Sequence, residues 1–176
     1  MQRVAIARAI SIRPKFIMAD EVTSMLDASL RLGIIDLMLD LQREFETSYL
    51  FITHDLAIAR YFTLKGGGEM GVMYLGKIVE LAETEELFTH PLHPYTEALL
   101  SAVPVPDPDY EAERIILQGD VPSPVNPPSG CYFHPRCPYA QPICAEQPPE
   151  FRDYGDHHYA ACHFANQLSL KGVKMQ

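Results

Sequence analysis

Two pairs of polar residues end short apolar runs in the first third of the chain. Asp20-Glu21 follows Phe16-Ile17-Met18-Ala19, and His54-Asp55 follows Tyr49-Leu50-Phe51-Ile52-Thr53. Adjacent carboxylates at the end of a buried strand suit a metal-nucleotide site, in which one holds Mg²⁺ through water and the next polarises an attacking water; the other reading is a pair of solvated loop residues. His54, expected at the same edge, brings an imidazole that can touch a terminal phosphate, or is a surface histidine near a helix start. A third set consists of thiols: Cys131, Cys137, Cys144 and Cys162, separated by five, six and seventeen residues. Disulfides are disfavoured because nothing points to secretion. Zinc, with His134 or His163 as substitute ligands, usually takes its ligands in pairs about two to four residues apart, and these cysteines contain no such pair. A cubane iron–sulfur cluster accepts looser spacing because its sulfurs span a larger perimeter than those around one ion. On spacing alone, cluster, zinc, and unliganded or disulfide-bonded thiols all stay open. The remaining histidines carry less: His90 and His93 read as polar loop residues, His157-His158 as solvated. Met18, Met25 and Met38 read as packing residues.

The elements that must position these groups are legible from apolar periodicity. Val4, Ile6, Ala7, Ala9 and Ile10 read as a helix already in progress, with no capping residue before it. A chain that opens inside a helix is expected to have sequence upstream. Pro14 ends that helix, and Lys15 to Ala19 reads as a buried strand. From Ala28 to about Glu46, Leu30, Ile34, Leu37, Met38, Leu41 and Phe45 recur at three- and four-residue steps, the pattern of an amphipathic helix. Ser48 to Thr53 is a second strand. Strand, helix, strand predicts a parallel crossover unit, whose ligands sit beyond the carboxyl ends of the strands, where both polar pairs fall. The Gly66-Gly67-Gly68 run reads as a flexible connection: it lacks the Lys-Ser/Thr ending of a phosphate loop. Met70 to Glu83 predicts a hairpin turning at Gly76-Lys77. Glu83–Phe88 and Tyr95–Val103 read as short helices on either side of a proline-broken loop.

Composition divides the chain. Twelve of the fifteen prolines and all four cysteines follow Val103, so residues 1–103 and 104–176 are read as two regions, the second starting with a stiff linker from Pro104 to Pro108. Glu111–Leu117 is expected as a strand or short helix, and Ala165–Gln176 as a frayed tail. This second region is polar and proline-rich and is expected to need the cysteines as a staple. With 47% apolar residues the chain can bury a core. A net charge of −9 argues against a nucleic-acid partner. No window approaches the roughly 18 consecutive apolar residues of a membrane span, and no signal peptide is visible, so a cytoplasmic location is expected.

Taken together the motifs become recognisable. Gln2-Arg3-Val4-Ala5-Ile6-Ala7-Arg8-Ala9 resembles the helix after the signature loop of ABC-transporter ATPases, and Phe16 to Glu21 resembles their Walker B strand with its catalytic Glu. Ser24-Met25-Leu26-Asp27 is similar to the D-loop and Ile52-Thr53-His54-Asp55 to the switch-histidine motif. The resemblance implies an α/β fold, part of a P-loop NTPase parallel sheet. It assigns Mg²⁺ binding to Asp20, the hydrolytic water to Glu21, the γ-phosphate of ATP to His54, and communication across an ATP-bound dimer to Asp27. Val22 stands where the family usually has Pro, and Met25 where it has Ala. No Gly-x-x-x-x-Gly-Lys-Ser/Thr occurs in the sequence, so the chain by itself is expected not to hydrolyse ATP. It reads as the C-terminal part of a subunit, and an apolar core cut across its sheet is expected to self-associate.

His93-Pro94-Tyr95-Thr96-Glu97-Ala98-Leu99-Leu100, Pro122-Ser123-Pro124, Pro127-Pro128-Ser129-Gly130-Cys131, Phe133-His134-Pro135-Arg136-Cys137-Pro138 and Ala161-Cys162-His163 resemble the loop-rich C-terminal extension of oligopeptide and dipeptide importer ATPases. Pro124-Val125-Asn126-Pro127-Pro128 is closer to the F-type than to the D-type subunit. The resemblance implies a structural 4Fe–4S cluster on Cys131, Cys137, Cys144 and Cys162. It further implies a second ATP-binding subunit and transmembrane permease subunits as partners, at the inner face of the cell membrane. The rival reading is a non-enzymatic, metal-bound interaction or regulatory module.

Overall fold

The computed structural model describes residues 2–24, 26–104 and 114–173. Met25, most of the expected linker, the first residues of the Glu111–Leu117 segment and residues 174–176 lie outside the described residues. The chain is mixed α/β and divides into two compact units, residues 1–68 and 69–176. The composition boundary at Val103 falls inside the second.

The first unit runs α1 (Gln2–Ile10), β1 (Phe16–Asp20), α2 (Ala28–Phe45), β2 (Ser48–Ile52) and α3 (Leu56–Gly66). Strands β1 and β2 are parallel, in register from Phe16 opposite Ser48 to Asp20 opposite Ile52, with α2 as the crossover between them. Glu46, left-handed at φ +52°, ends α2 with its N–H on the Gln42 carbonyl. Thr47, buried, donates its hydroxyl to the Pro14 carbonyl and so ties the entries of the two strands together.

The core consists of Ala19, Ile34, Ile35, Met38, Leu39, Ile58 and Phe62, with Tyr49 and Phe51 packed against it. Phe51 and Phe62 stack at 4.6 Å. Helix α2 is therefore rotated from the expected stripe: Ile35 and Leu39 are buried, while Leu30 is exposed. Ile34 and Met38 of the expected stripe are buried as well, so the 34/38 and 35/39 rows both face inward and the buried face is shifted and widened relative to the spacing of the leucines. Gly66 is not flexible connection but the last residue of α3, where a Cβ would come within 2.8 Å of Gln42 and Leu39 side-chain atoms. Gly67 and Gly68, both at positive φ, then turn the chain out.

The second unit runs β3 (Glu69–Tyr74), β4 (Lys77–Glu83), α4 (Thr84–Thr89), α5 (Pro94–Leu100), α6 (Pro142–Glu146), β5 (Arg152–Asp153) and β6 (Tyr159–Ala160), with single 3₁₀ turns at His134–Arg136 and Ala165–Gln167. Its antiparallel sheet has the order β3-β4-β6-β5. The hairpin turns one residue earlier than expected, at Leu75-Gly76, both at positive φ as a primed turn demands. Arg114–Leu117 carries no regular element.

The proline-rich region is held by more than its cysteines. Phe133 is 1% exposed and meets the rings of Tyr74, Tyr95 and His93. Nor is the tail frayed over 165–173: Ala165 and Val173 are buried, Val173 donates to the Phe88 carbonyl, and the Lys171 N–H reaches Glu97 Oε1 at 2.8 Å. Gly172 passes so close to Thr89 that a Cβ would stand 2.1 Å from its carbonyl oxygen. Sequence reasoning missed this because it weighed local polarity, and the tail's partners lie about eighty residues away.

Candidate functional site

In the first unit, the parallel pairing of β1 and β2 delivers both polar pairs to one sheet edge. Asp20 is the last residue of β1, exposed beside the end of β2. Glu21 extends the ladder, its N–H on the Ile52 carbonyl, and then takes a left-handed backbone at φ +50°. Non-glycine residues visit this region at a cost, and such positions concentrate at functional sites. The twist turns the Glu21 carboxylate across to the neighbouring strand, where Oε1 accepts from the His54 N–H at 3.0 Å and lies 2.8 Å from His54 Nδ1. Both side chains remain open to solvent. Asp20, Glu21 and His54 are thus brought to one edge. Asp27 stands apart from that contact, as the residue before α2: its carbonyl accepts from Leu30 and Arg31, while its own carboxylate is exposed and makes no capping bond.

Two residues outside the expected set hold this edge. Asp55 caps α3, Oδ1 accepting from the Ala57 and Ile58 N–H groups. Its other oxygen meets the Arg31 guanidinium at 3.3 Å, and Arg31 Nε donates to the Leu26 carbonyl at 2.8 Å. Arg31 therefore spans the turn before α2 and the start of α3. A capping Asp just before an apolar helix is readable in sequence; an Arg twenty-four residues away that pairs with it is not.

In the second unit Cys131, Cys137, Cys144 and Cys162 line a single cavity, walled by His93, Pro94, Phe133, His134, Tyr139, His163, Phe164 and Leu168. No disulfide joins them. The Cys131 N–H bonds to the Cys144 carbonyl at 2.8 Å, which draws the two ends of the 131–144 loop together. Gly130, at φ +64°, makes the closure possible: a Cβ there would stand 2.4 Å from the Cys144 carbonyl oxygen. Burial pushes the thiols of Cys131, Cys137 and Cys162 up, Cys137 to about 12 and Cys162 to about 11. Backbone N–H groups work in the opposite sense, from Phe133 and His134 toward Cys131, Tyr139 toward Cys137 and Phe164 toward Cys162.

Such N–H groups aimed at sulfur, within an apolar wall, are the surroundings in which thiolate ligands are stabilised. Among the described residues no group of three or more His, Cys, Asp or Glu is gathered as a single ion would require. Two histidines depart from expectation. His93 is buried and caps α5, its Nδ1 accepting from the Tyr95 N–H, and burial pushes it down to about 3. His158 is buried, with Nε2 2.8 Å from Glu80 Oε1; His157 is exposed.

Residues 79–144, which include three of the four cysteines, match the family described as the oligopeptide/dipeptide transporter C-terminal region. The chain is 52% identical over 164 residues to the oligopeptide transport ATP-binding protein AppF of Bacillus subtilis, covering 92% of this chain and 49% of that one. By sequence it belongs with the peptide-transport ATP-binding proteins. A second Bacillus subtilis protein, YkfD, is 46% identical over 172 residues, 97% of this chain and 51% of its own length. The chain spans about half the length of the curated relatives it matches. Among the described residues no helix is long and apolar enough to cross a membrane.

Proposed function

We propose that this chain is the hydrolysis-and-switch portion of an ATP-binding subunit that energises a peptide importer. The observation that carries the reading is the 2.8 Å approach of Glu21 to His54 at the edge where Asp20 also ends. In this reading Asp20 holds Mg²⁺, which supplies charge neutralisation of the phosphates when bound. Glu21 orients and polarises the attacking water, His54 faces the γ-phosphate of ATP, and Asp27 communicates across a dimer with a second ATP-binding subunit. Residues 1–103 belong to the ATPase part of a P-loop fold and 104–176 to an F-type extension. Transmembrane permease subunits at the cytoplasmic face of the membrane are the partners that receive the work.

The four thiols are read as ligands of a structural 4Fe–4S cluster, with zinc as the alternative. What supports a metal group at all is that the four thiols line one cavity, and four thiolates are a donor set that a cubane cluster and a single zinc ion both accept. The cluster would supply iron–thiolate bonds linking the 131–144 loop to Cys162, a staple and not a redox relay. A purely metal-bound interaction module is served by this site alone and has no use for the Glu21–His54 pair.

Nucleotide binding separates the two. The chain alone gives no saturable Mg²⁺-dependent binding of ATP, because no phosphate loop is present in it. Supplied with a polypeptide carrying the phosphate and signature loops, it hydrolyses ATP, and Glu21→Gln lowers kcat by about 100-fold or more while ATP still binds. Hydrolysis indifferent to Glu21→Gln would remove the reading.

The open face of the first unit also supports self-association. Phe16, Met18, Leu50 and Ile52 are exposed on the side of the sheet away from α2 and α3, Met18 at 64%, whereas parallel sheets are normally covered on both faces.

A further inference from the structure

Glu80 is fully buried on β4. Its Oε1 accepts from the Leu92 N–H at 2.7 Å and lies 2.8 Å from His158 Nε2; its Oε2 accepts from the His93 N–H at 2.9 Å. A buried carboxylate survives only when its lone pairs are met, and here three donors converge on it. The need is mutual. Leu92 and His93 lie between Pro91 and Pro94, in a stretch where no helix or strand takes up their N–H groups. Without the carboxylate two main-chain donors and an imidazole N–H would be buried unpaired.

What these donors belong to gives the carboxylate its role. His93 forms part of the wall of the thiol cavity. His158 is two residues before Ala160, which pairs through its backbone with Glu80 itself, and the next N–H, of Ala161, bonds to the Val79 carbonyl. Cys162 follows immediately, its carbonyl held by the Tyr154 hydroxyl at 2.8 Å. The Cys131 and Cys144 arm is closed by a different device, its own backbone bond and the Ser129 hydroxyl on the Ala145 carbonyl.

We propose that Glu80 is a positioning residue of the thiol site, its carboxylate setting the His93 wall and, through His158, the strand that presents Cys162. The proposal rests on the reading of the thiols as a ligand set, and its test is built to fail separately from that reading.

The experiment uses the whole metal-free chain. Alkylation of each cysteine by iodoacetamide is timed by mass spectrometry in wild type, Glu80→Gln, His158→Leu and His158→Gln. Leucine removes the donor; glutamine can place an N–H at similar reach. In His158→Leu, Cys162 alkylates about tenfold faster or more, while Cys131 and Cys144 keep their wild-type rates. His158→Gln restores the wild-type rate at Cys162. Glu80→Gln, which sets an amide against main-chain donors, follows His158→Leu. Equal acceleration of all four cysteines would show general loss of packing and overturn the proposal, as would unchanged labelling of Cys162 in His158→Leu. The same variants are then loaded anaerobically with iron and sulfide, and retained iron is counted. A wild type that takes up no iron, with the labelling contrast intact, ends the ligand reading and leaves the positioning role standing. Equal iron in all variants, with Cys162 labelling unchanged, does the reverse.

Discussion

His93 shows how one side chain can hold opposed demands. It is buried beside Phe133, caps α5 through an unprotonated Nδ1, and borders the thiol cavity. Each of these roles requires the neutral ring, and burial holds its pKa near 3 against an ordinary value of 6.5. The unfolded chain therefore binds a proton between about pH 6.5 and 3 that the folded chain refuses, so His93 contributes stability that is complete above that window and lost as the pH falls through it. Urea unfolding across this range should show the second unit weakening by up to about 1.4 kcal/mol per pH unit from this group. His93→Asn keeps a capping oxygen and removes the titration; its pH slope should be shallower by up to one proton. An equal slope in both proteins would place the acid sensitivity in other groups. At the same scale, no feature of the sequence distinguishes Glu80 from the surface glutamates around it. Its burial follows from a bulge: Val72 faces Glu80 but Met73 faces Ile78, so Val79 is extra and Glu80 turns inward beside it.

Among the elements, α3 best shows how a cap can serve a site. Its first turn is satisfied by Asp55, the residue next to His54, so the bond that starts the helix also fixes the end of the strand carrying the imidazole. Arg31 adds a tie to the turn before α2. Asp55→Ala is expected to cost about 1–2 kcal/mol, read as a lower urea midpoint for the first unit. Asp55→Asn keeps the capping oxygen and loses only a part-exposed ion pair, and should fall within about 1 kcal/mol of wild type. If the two substitutions are equally harmful, the ion pair and not the cap secures this edge. Helix α2 carries the complementary lesson. Its existence and length were legible from the spacing of its leucines and isoleucines, but that Ile35 and Leu39 join Ile34 and Met38 in the core follows from packing with Phe62 and Phe51, on elements the spacing cannot see.

For the molecule as a whole, the distribution of apolar surface matters most. The first unit covers one face of a two-stranded parallel sheet and leaves the other bare. Sedimentation velocity should find concentration-dependent association, and Leu50→Lys, on the bare face, should shift the population toward monomer. Association unchanged by that substitution would locate the contact elsewhere. The second unit closes around itself instead, through the Phe133 ring cluster, the packed tail and the inward Glu80.

By itself the sequence determined the local chemistry: the acid pair and the histidine each at a strand end, four thiols in a proline-rich region, and a strand-helix-strand order that sends both polar pairs to one edge. Those follow from periodicity and turn residues, which act over a few positions. Only the tertiary structure decided that Glu21 turns onto His54, that Arg31 reaches Asp55, that the thiols share one cavity, and that Glu80 and His158 meet seventy-eight positions apart. The Glu80–His158 contact is selected by burial, which makes a carboxylate taken from water costly unless it finds a partner, and the partner's address is a property of the fold.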